Sequence, residues 1–177
     1  MKLFRQFFIL SCFMFFTLTS ARANERDLTA YPCTVFAPHV CFRLPSATEV
    51  LYSVPADVHS FEIRRGERLL ATAFVNESRE TSLGSYLMKI KVSGWDVAGK
   101  INESDGARVI VMLPSRQREP VVEVRIEPSE GLDPDVSGFL SSFRPCSPIK
   151  SGGQKCPMDP AFGRSIRDVA RDLFSQK

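Results

Sequence analysis

Apolar and polar side chains alternate with a period of two through much of this chain. In "VHSFEI", Val58 to Ile63, the side chains of His59, Phe61 and Ile63 share one face, the pattern of a half-buried strand. "RRGE", Arg64 to Glu67, fits a tight turn with Gly66 at positive φ. "RLLATAFV", Arg68 to Val75, returns as the partner strand. In "SYLMKIKV", Tyr86, Met88, Ile90 and Val92 face one way and Lys89 and Lys91 the other, and Ser93–Gly94 turns the chain. "RVIVML", Arg108 to Leu113, is a continuous apolar run ended by Pro114, and "VVEVRI" sets Val122, Val124 and Ile126 against Glu123 and Arg125. Shorter candidates are "CFRLP" at 41–45, "EVLYSV" at 49–54 and the segment from Trp95 to Asn102. Strands separated by turn signals every eight to twelve residues or so predict antiparallel sheet.

The period changes after Glu127. Asp133 stands where a helix N-cap belongs, Pro134 takes the first helical position, and Val136, Phe139, Leu140 and Phe143 follow at helical spacing. The same device recurs: Asp159 caps, Pro160 comes first, and Phe162, Ile166, Val169, Ala170 and Leu173 form an apolar stripe. Arg164 and Asp168 are spaced for an i,i+4 ion pair. Strands first and helices last predict an α+β fold: an antiparallel sheet of about six to eight strands with two C-terminal helices packed on it. The expected organisation is a single domain over 24–177, with an irregular segment at 24–40, a β-rich body at 41–126 and a helix-loop-helix at 127–177.

Residues 1–23 read differently. Lys2 and Arg5 precede an apolar run of 12 residues, Phe7 to Leu18, and Ala21 and Ala23 offer the small positions of a cleavage site before Asn24. This is the layout of a secretory signal peptide, and the run is shorter than the ~20 residues of a membrane span. No later stretch has that length without charge, so the mature chain is expected to carry no transmembrane segment. "ILSC" at Ile9 to Cys12 is close to a lipoprotein box, but the apolar run continues past Cys12, which places this cysteine inside the discarded peptide. Cleavage also changes the charge. The full chain carries 23 Lys and Arg against 20 Asp and Glu; losing Lys2, Arg5 and Arg22 leaves 20 against 20. A neutral mature chain lacks the concentrated positive field that nucleic acid demands. Residues 144–177 nonetheless hold seven basic and three acidic side chains.

Four cysteines remain after cleavage: Cys33, Cys41, Cys146 and Cys156. An even number in an exported chain reads as disulfides. Local pairs, Cys33–Cys41 and Cys146–Cys156, are the first choice; the rival arrangement ties the N-terminal pair to the C-terminal pair. Zinc sites space their cysteines two to four residues apart, whereas here the spacings are C-x7-C and C-x9-C, with His39 and His59 the only histidines. No C-x-x-C redox motif occurs. No metal or other cofactor is expected.

Catalytic patterns are sparse. The chain contains no G-x-S-x-G elbow, phosphate loop or dinucleotide fingerprint. Asp57 and His59 share a face of a strand start and form the one candidate acid–base pair, the basis of an alternative reading as a small secreted hydrolase. Asn76 and Asn102 each open an N-glycosylation tripeptide. Trp95, after a glycine turn, reads as a core anchor.

"VPADVHSFEI", Val54 to Ile63, the strand-rich body and the helix "VSGFLSSFRPC", Val136 to Cys146, together resemble the PsbP-like superfamily of small exported domains. The likeness covers residues 41–146 and implies an antiparallel sheet flanked by helices and a binding or accessory role without a catalytic set. The cysteine loop and last helix depart from that pattern, and no functional residue carries over. The leading expectation is therefore a non-enzymatic exported protein, periplasmic if the source is a Gram-negative bacterium and otherwise secreted. It would bind a protein partner in an envelope-accessory, inhibitor or immunity-type role. Candidate contact residues are Arg64, Arg65 and Arg68 at the charged turn and Arg164, Arg167 and Arg171 on the last helix.

Overall fold

The alternating segments pair as two meanders that meet along one seam. The structure, a computed structural model, describes residues 33–37, 39–76, 86–115, 121–150 and 152–176, leaving aside the side chains of Asp57 and Asn76. The expected signal peptide and its cleavage site lie outside the described residues. The first meander, preceded by β1 (Val35–Ala37) and β2 (Val40–Phe42), is β3 (Glu49–Ser53), β4 (Val58–Arg65) and β5 (Arg68–Asn76). The second is β6 (Met88–Val92), β7 (Trp95–Ile101), β8 (Arg108–Pro114) and β9 (Val121–Ile126). β5 runs antiparallel to β9, with Ala71 opposite Ile126 and Ala73 opposite Val124. The result is a seven-stranded antiparallel sheet in the order β3-β4-β5-β9-β8-β7-β6. Its turns use the residues that their geometry requires: Gly66 has φ 59°, and Ser93 and Gly94 have φ 51° and 77° between β6 and β7.

One face of the sheet carries the core. Phe61, Ile63, Ala71, Ala73, Val97, Ile110, Met112, Val122, Val124 and Ile126 are buried there. Two helices cover it: α1 (Pro134–Ser141) and α2 (Ala161–Ser175). The α+β architecture expected from the sequence is the one observed. Asp133 caps α1 by accepting from the N–H of Asp135 at 2.9 Å, and Asp159 accepts from the N–H of Ala161 at 2.9 Å. The apolar stripe of α2 lies against the second meander, and Gly99 of β7 leaves the space that Val169 and Leu173 fill. Trp95 is buried with its ring 5.5 Å from that of Phe162.

Several expectations are corrected. Residues 24–40 were expected to be irregular, but Val35–Ala37 is a strand, β1, and β2 spans Val40–Phe42. With β10 (Arg144–Pro145) they form a second, three-stranded sheet in the order β1-β2-β10. Strands this short show no periodicity; they are held by tertiary packing, chiefly of Phe42, whose ring centroid lies 5.3, 5.5 and 4.8 Å from those of Phe61, Phe139 and Phe143. The cysteine loop is a small hairpin of β11 (Ser147–Pro148) and β12 (Gln154–Lys155), with Gly152 and Gly153 at φ 86° and 85°. The Arg164–Asp168 pair is replaced: Asp168 pairs with Arg167 at 2.9 Å and Arg171 at 3.0 Å, while Arg164 lies 3.8 Å from Asp159. Among the described residues no helix is long and apolar enough to cross a membrane.

Candidate functional site

The outermost strand of the first meander ends in an apolar surface. Among the described residues β3 pairs only with β4, so one side of its backbone faces outward. Side chains alternate across it: Tyr52 lies on the helix-bearing face opposite Phe61, and Leu51 on the other face opposite Glu62. Leu51, Tyr52 and Val54 are 53, 56 and 49 % exposed, and Phe36 of β1 is 51 % exposed. Between β1 and the sheet lies a depression of about 240 Å³ lined by Val35, Phe36, Ala37, Tyr52, His59 and Phe61. The opposite edge differs. β6 presents Lys89 and Lys91, both exposed, the usual protection of an edge against pairing with another chain.

His59 is half-buried in the wall of this depression. Its Nδ1 is 2.7 Å from the Tyr52 hydroxyl, and the two rings stack with centroids 6.0 Å apart. Tyr52 in turn lies 5.0 Å from the Phe61 ring. Asp57, the residue paired with His59 in the sequence reading, sits in the 3-10 turn Pro55–Asp57 ahead of β4; its side chain lies outside the described residues. Among the described residues the lining of the depression holds no serine, threonine or cysteine. His39 sits at the β1–β2 turn with φ 60°, and its carbonyl accepts the N–H of Cys146 at 2.7 Å.

The six arginines fall on β4, β5 and α2 and are mostly engaged within the chain. Arg65 donates to Asp133 at 3.0 Å and to Asp135 at 2.5 Å, joining the β4–β5 hairpin to the start of α1. These hydrogen bonds raise the Arg65 pKa. Burial alone would raise the Asp133 carboxyl, but Arg65 and the Asp135 N–H outweigh it and hold it below the usual carboxylate range. Arg64 pairs with Glu62 at 2.8 Å, and Arg164, Arg167 and Arg171 have the partners given above. Arg68 is exposed and sits opposite Arg65 in the hairpin register. Asn102 holds its side chain inside its own turn, accepting from Ser104 N–H at 3.2 Å and donating to Asp105 at 3.2 Å; the side chain of Asn76 lies outside the described residues.

The cysteines pair locally, Cys33 with Cys41 and Cys146 with Cys156, with Cα–Cα distances of 5.6 and 4.2 Å. Both bridges lie together in one cluster apart from the main core. Sequence reasoning chose this pairing but had no signal for the adjacency, which arises because β2 lies between β1 and β10. A cavity of about 410 Å³ opens beside the second bridge, lined among others by Trp95, Lys155, Asp159 and Phe162. The sequence also gave no pointer to the apolar edge, since "EVLYSV" reads as an ordinary strand until its place in the sheet order is known.

No family model, curated protein or solved structure matches this chain. Nothing in those comparisons bears on the likeness to PsbP-like domains.

Proposed function

We propose that this chain is a non-enzymatic exported protein that works by binding a partner protein, taking an extended segment of that partner along β3. The carrying observation is the contrast between the two edges of the sheet: apolar Leu51, Tyr52 and Val54 at one, exposed Lys89 and Lys91 at the other. An outward-facing strand offers a row of backbone donors and acceptors for an added strand, and a pocket beside it selects a side chain. The 240 Å³ depression is smaller than the ~300–1,000 Å³ of small-molecule sites, which suits one large apolar side chain. Export rests on the charged start, apolar run and small-residue motif of residues 1–23, and the two bridges fit an oxidising compartment. That compartment is the periplasm in a Gram-negative cell and the exterior otherwise.

A photo-crosslinking amino acid at position 52, with position 91 on β6 as control, tests this in the producing cell. A discrete protein adduct from position 52 and none from position 91 is expected. No adduct, or the same adducts from both, would refute docking at β3.

The second reading, a small hydrolase built on His59 and Asp57, draws on the hydrogen bond between His59 and Tyr52. Replacing His59 by Gln decides it: a phenotype that persists with folding intact removes histidine as the base.

A further inference from the structure

We propose that the paired bridges form a thiol–disulfide exchange site, at which an external dithiol moves the cross-link to Cys41–Cys146. The geometry starts from the small sheet. Arg144 stands opposite Cys41 across the antiparallel β2–β10 pair, and the N–H of Cys146 donates to the carbonyl of His39 at 2.7 Å. Cys146 therefore faces the position two residues before Cys41, and the two side chains are diagonal neighbours on one face. The sulfurs of Cys41, Cys146 and Cys156 all lie within 4.8 Å of one another. Two separate bridges thus hold a sulfur of each within reach of the other.

Exposure sets the order of events. Cys33, Cys41 and Cys146 are 4, 0 and 5 % exposed, whereas Cys156 is only half-buried. An incoming thiolate attacks Cys156 Sγ, forms a mixed disulfide there and displaces Cys146 as thiolate. Cys146 then attacks Cys41 Sγ. The Cys33–Cys41 bond breaks, its electron pair leaves on Cys33, and Cys33 takes up a proton. The second thiol of the dithiol resolves the mixed disulfide and frees Cys156. In total one dithiol is oxidised to a disulfide, and the chain gains two thiols, Cys33 and Cys156, while keeping one bridge. That bridge clamps β2 to β10 and unties the start of β1. Since β1 supplies Val35, Phe36 and Ala37 to the depression, exchange would loosen one of its walls; only this consequence rests on docking at β3.

The test uses the native oxidised chain. Limiting dithiothreitol, rapid alkylation and peptide mapping under non-reducing conditions identify the two-thiol species. Label on Cys33 and Cys156 with Cys41 linked to Cys146 in most of that species is the expected result. Label on Cys146 and Cys156 with Cys33–Cys41 intact, or the reverse, overturns the proposal. Should only unreduced and fully reduced chains be recovered, the double variant Cys33→Ser/Cys156→Ser decides after air oxidation. A Cys41–Cys146 bond supports exchange, and two free thiols refute it. Neither readout involves a binding partner, so failure here is separable from failure of docking at β3.

Discussion

Gly163 sits inside α2, where glycine costs about 1 kcal/mol relative to alanine. The structure explains its presence. A Cβ at Gly163 would overlap the carbonyl of Ser141 and lie 2.9 Å from that of Leu140, so the side-chain-free position lets the start of α2 cross the end of α1. Gly163→Ala should destabilise by roughly 1–3 kcal/mol, the usual cost of forcing atoms into a filled contact. Gly138→Ala on α1, where an added Cβ meets nothing, should be neutral or stabilising by up to about 1 kcal/mol. Urea denaturation of both variants checks the contrast; similar effects would remove close helix approach as the reason for Gly163. Neither role is legible in the sequence, because the approach of the two helices is a tertiary contact. His59 shows the same limit. Its period-two partners Phe61 and Ile63 were readable, but its hydrogen bond to Tyr52 depends on the β3–β4 register, which places Tyr52 opposite Phe61 and so diagonal to His59.

The start of α1 joins local and tertiary chemistry in one element. The Asp133 N-cap and the Pro134 first position were visible in the sequence, as were the apolar stripes of both helices, because their spacing repeats over several turns. The partner of Asp133 was not visible, since Arg65 lies 68 residues away in the chain. Asp133 has a folded-state pKa lowered from its unfolded value by Arg65 and the Asp135 N–H, against the opposing pull of burial. Its contribution to stability is therefore present above the unfolded carboxylate value, about pH 4, and is lost as pH falls through the folded one. Asp105 acts with the same sign, held down by the hydrogen bond from Arg125 and then by the N–H of Ala107. Asp133→Asn keeps a good N-cap but removes the charge. Thermal melts from neutral pH to pH 2 should show a shallower acid limb than the parent, with Asp105 maintaining part of it; an unchanged limb would show that the Arg65 pair carries no pH-linked stability. At the other end of α1, Arg144 donates to the carbonyls of Ser141 and Phe143 at 2.9 and 2.8 Å. Burial lowers its pKa, yet it still supplies the partners that helix-end carbonyls need.

At the scale of the molecule the sulfur cluster and the main core are separate bodies of packing. Among the described residues the core runs from Phe42 through the sheet to Leu173 without a cysteine, and Cys33, Cys41, Cys146 and Cys156 cluster by themselves around the small sheet. A chain of this length buries enough apolar surface to fold on its core, so the bridges act as reinforcement. Each closes a short loop, eight and ten residues apart in sequence, worth about 2–4 kcal/mol. The two abut, so their effects should add incompletely. For a domain of this size a change of 1 kcal/mol moves the melting temperature by about 2–4 °C, which places the loss on full reduction on the order of 10 °C. Far-UV circular dichroism at room temperature should keep its sheet signal, because the seven-stranded ladder contains no cysteine. Trp95 fluorescence should change, because its ring lines the cavity beside Cys146. Collapse of the far-UV signal on reduction would mean that the bridges hold the fold as a whole, and the main core would then be too weak to stand without them.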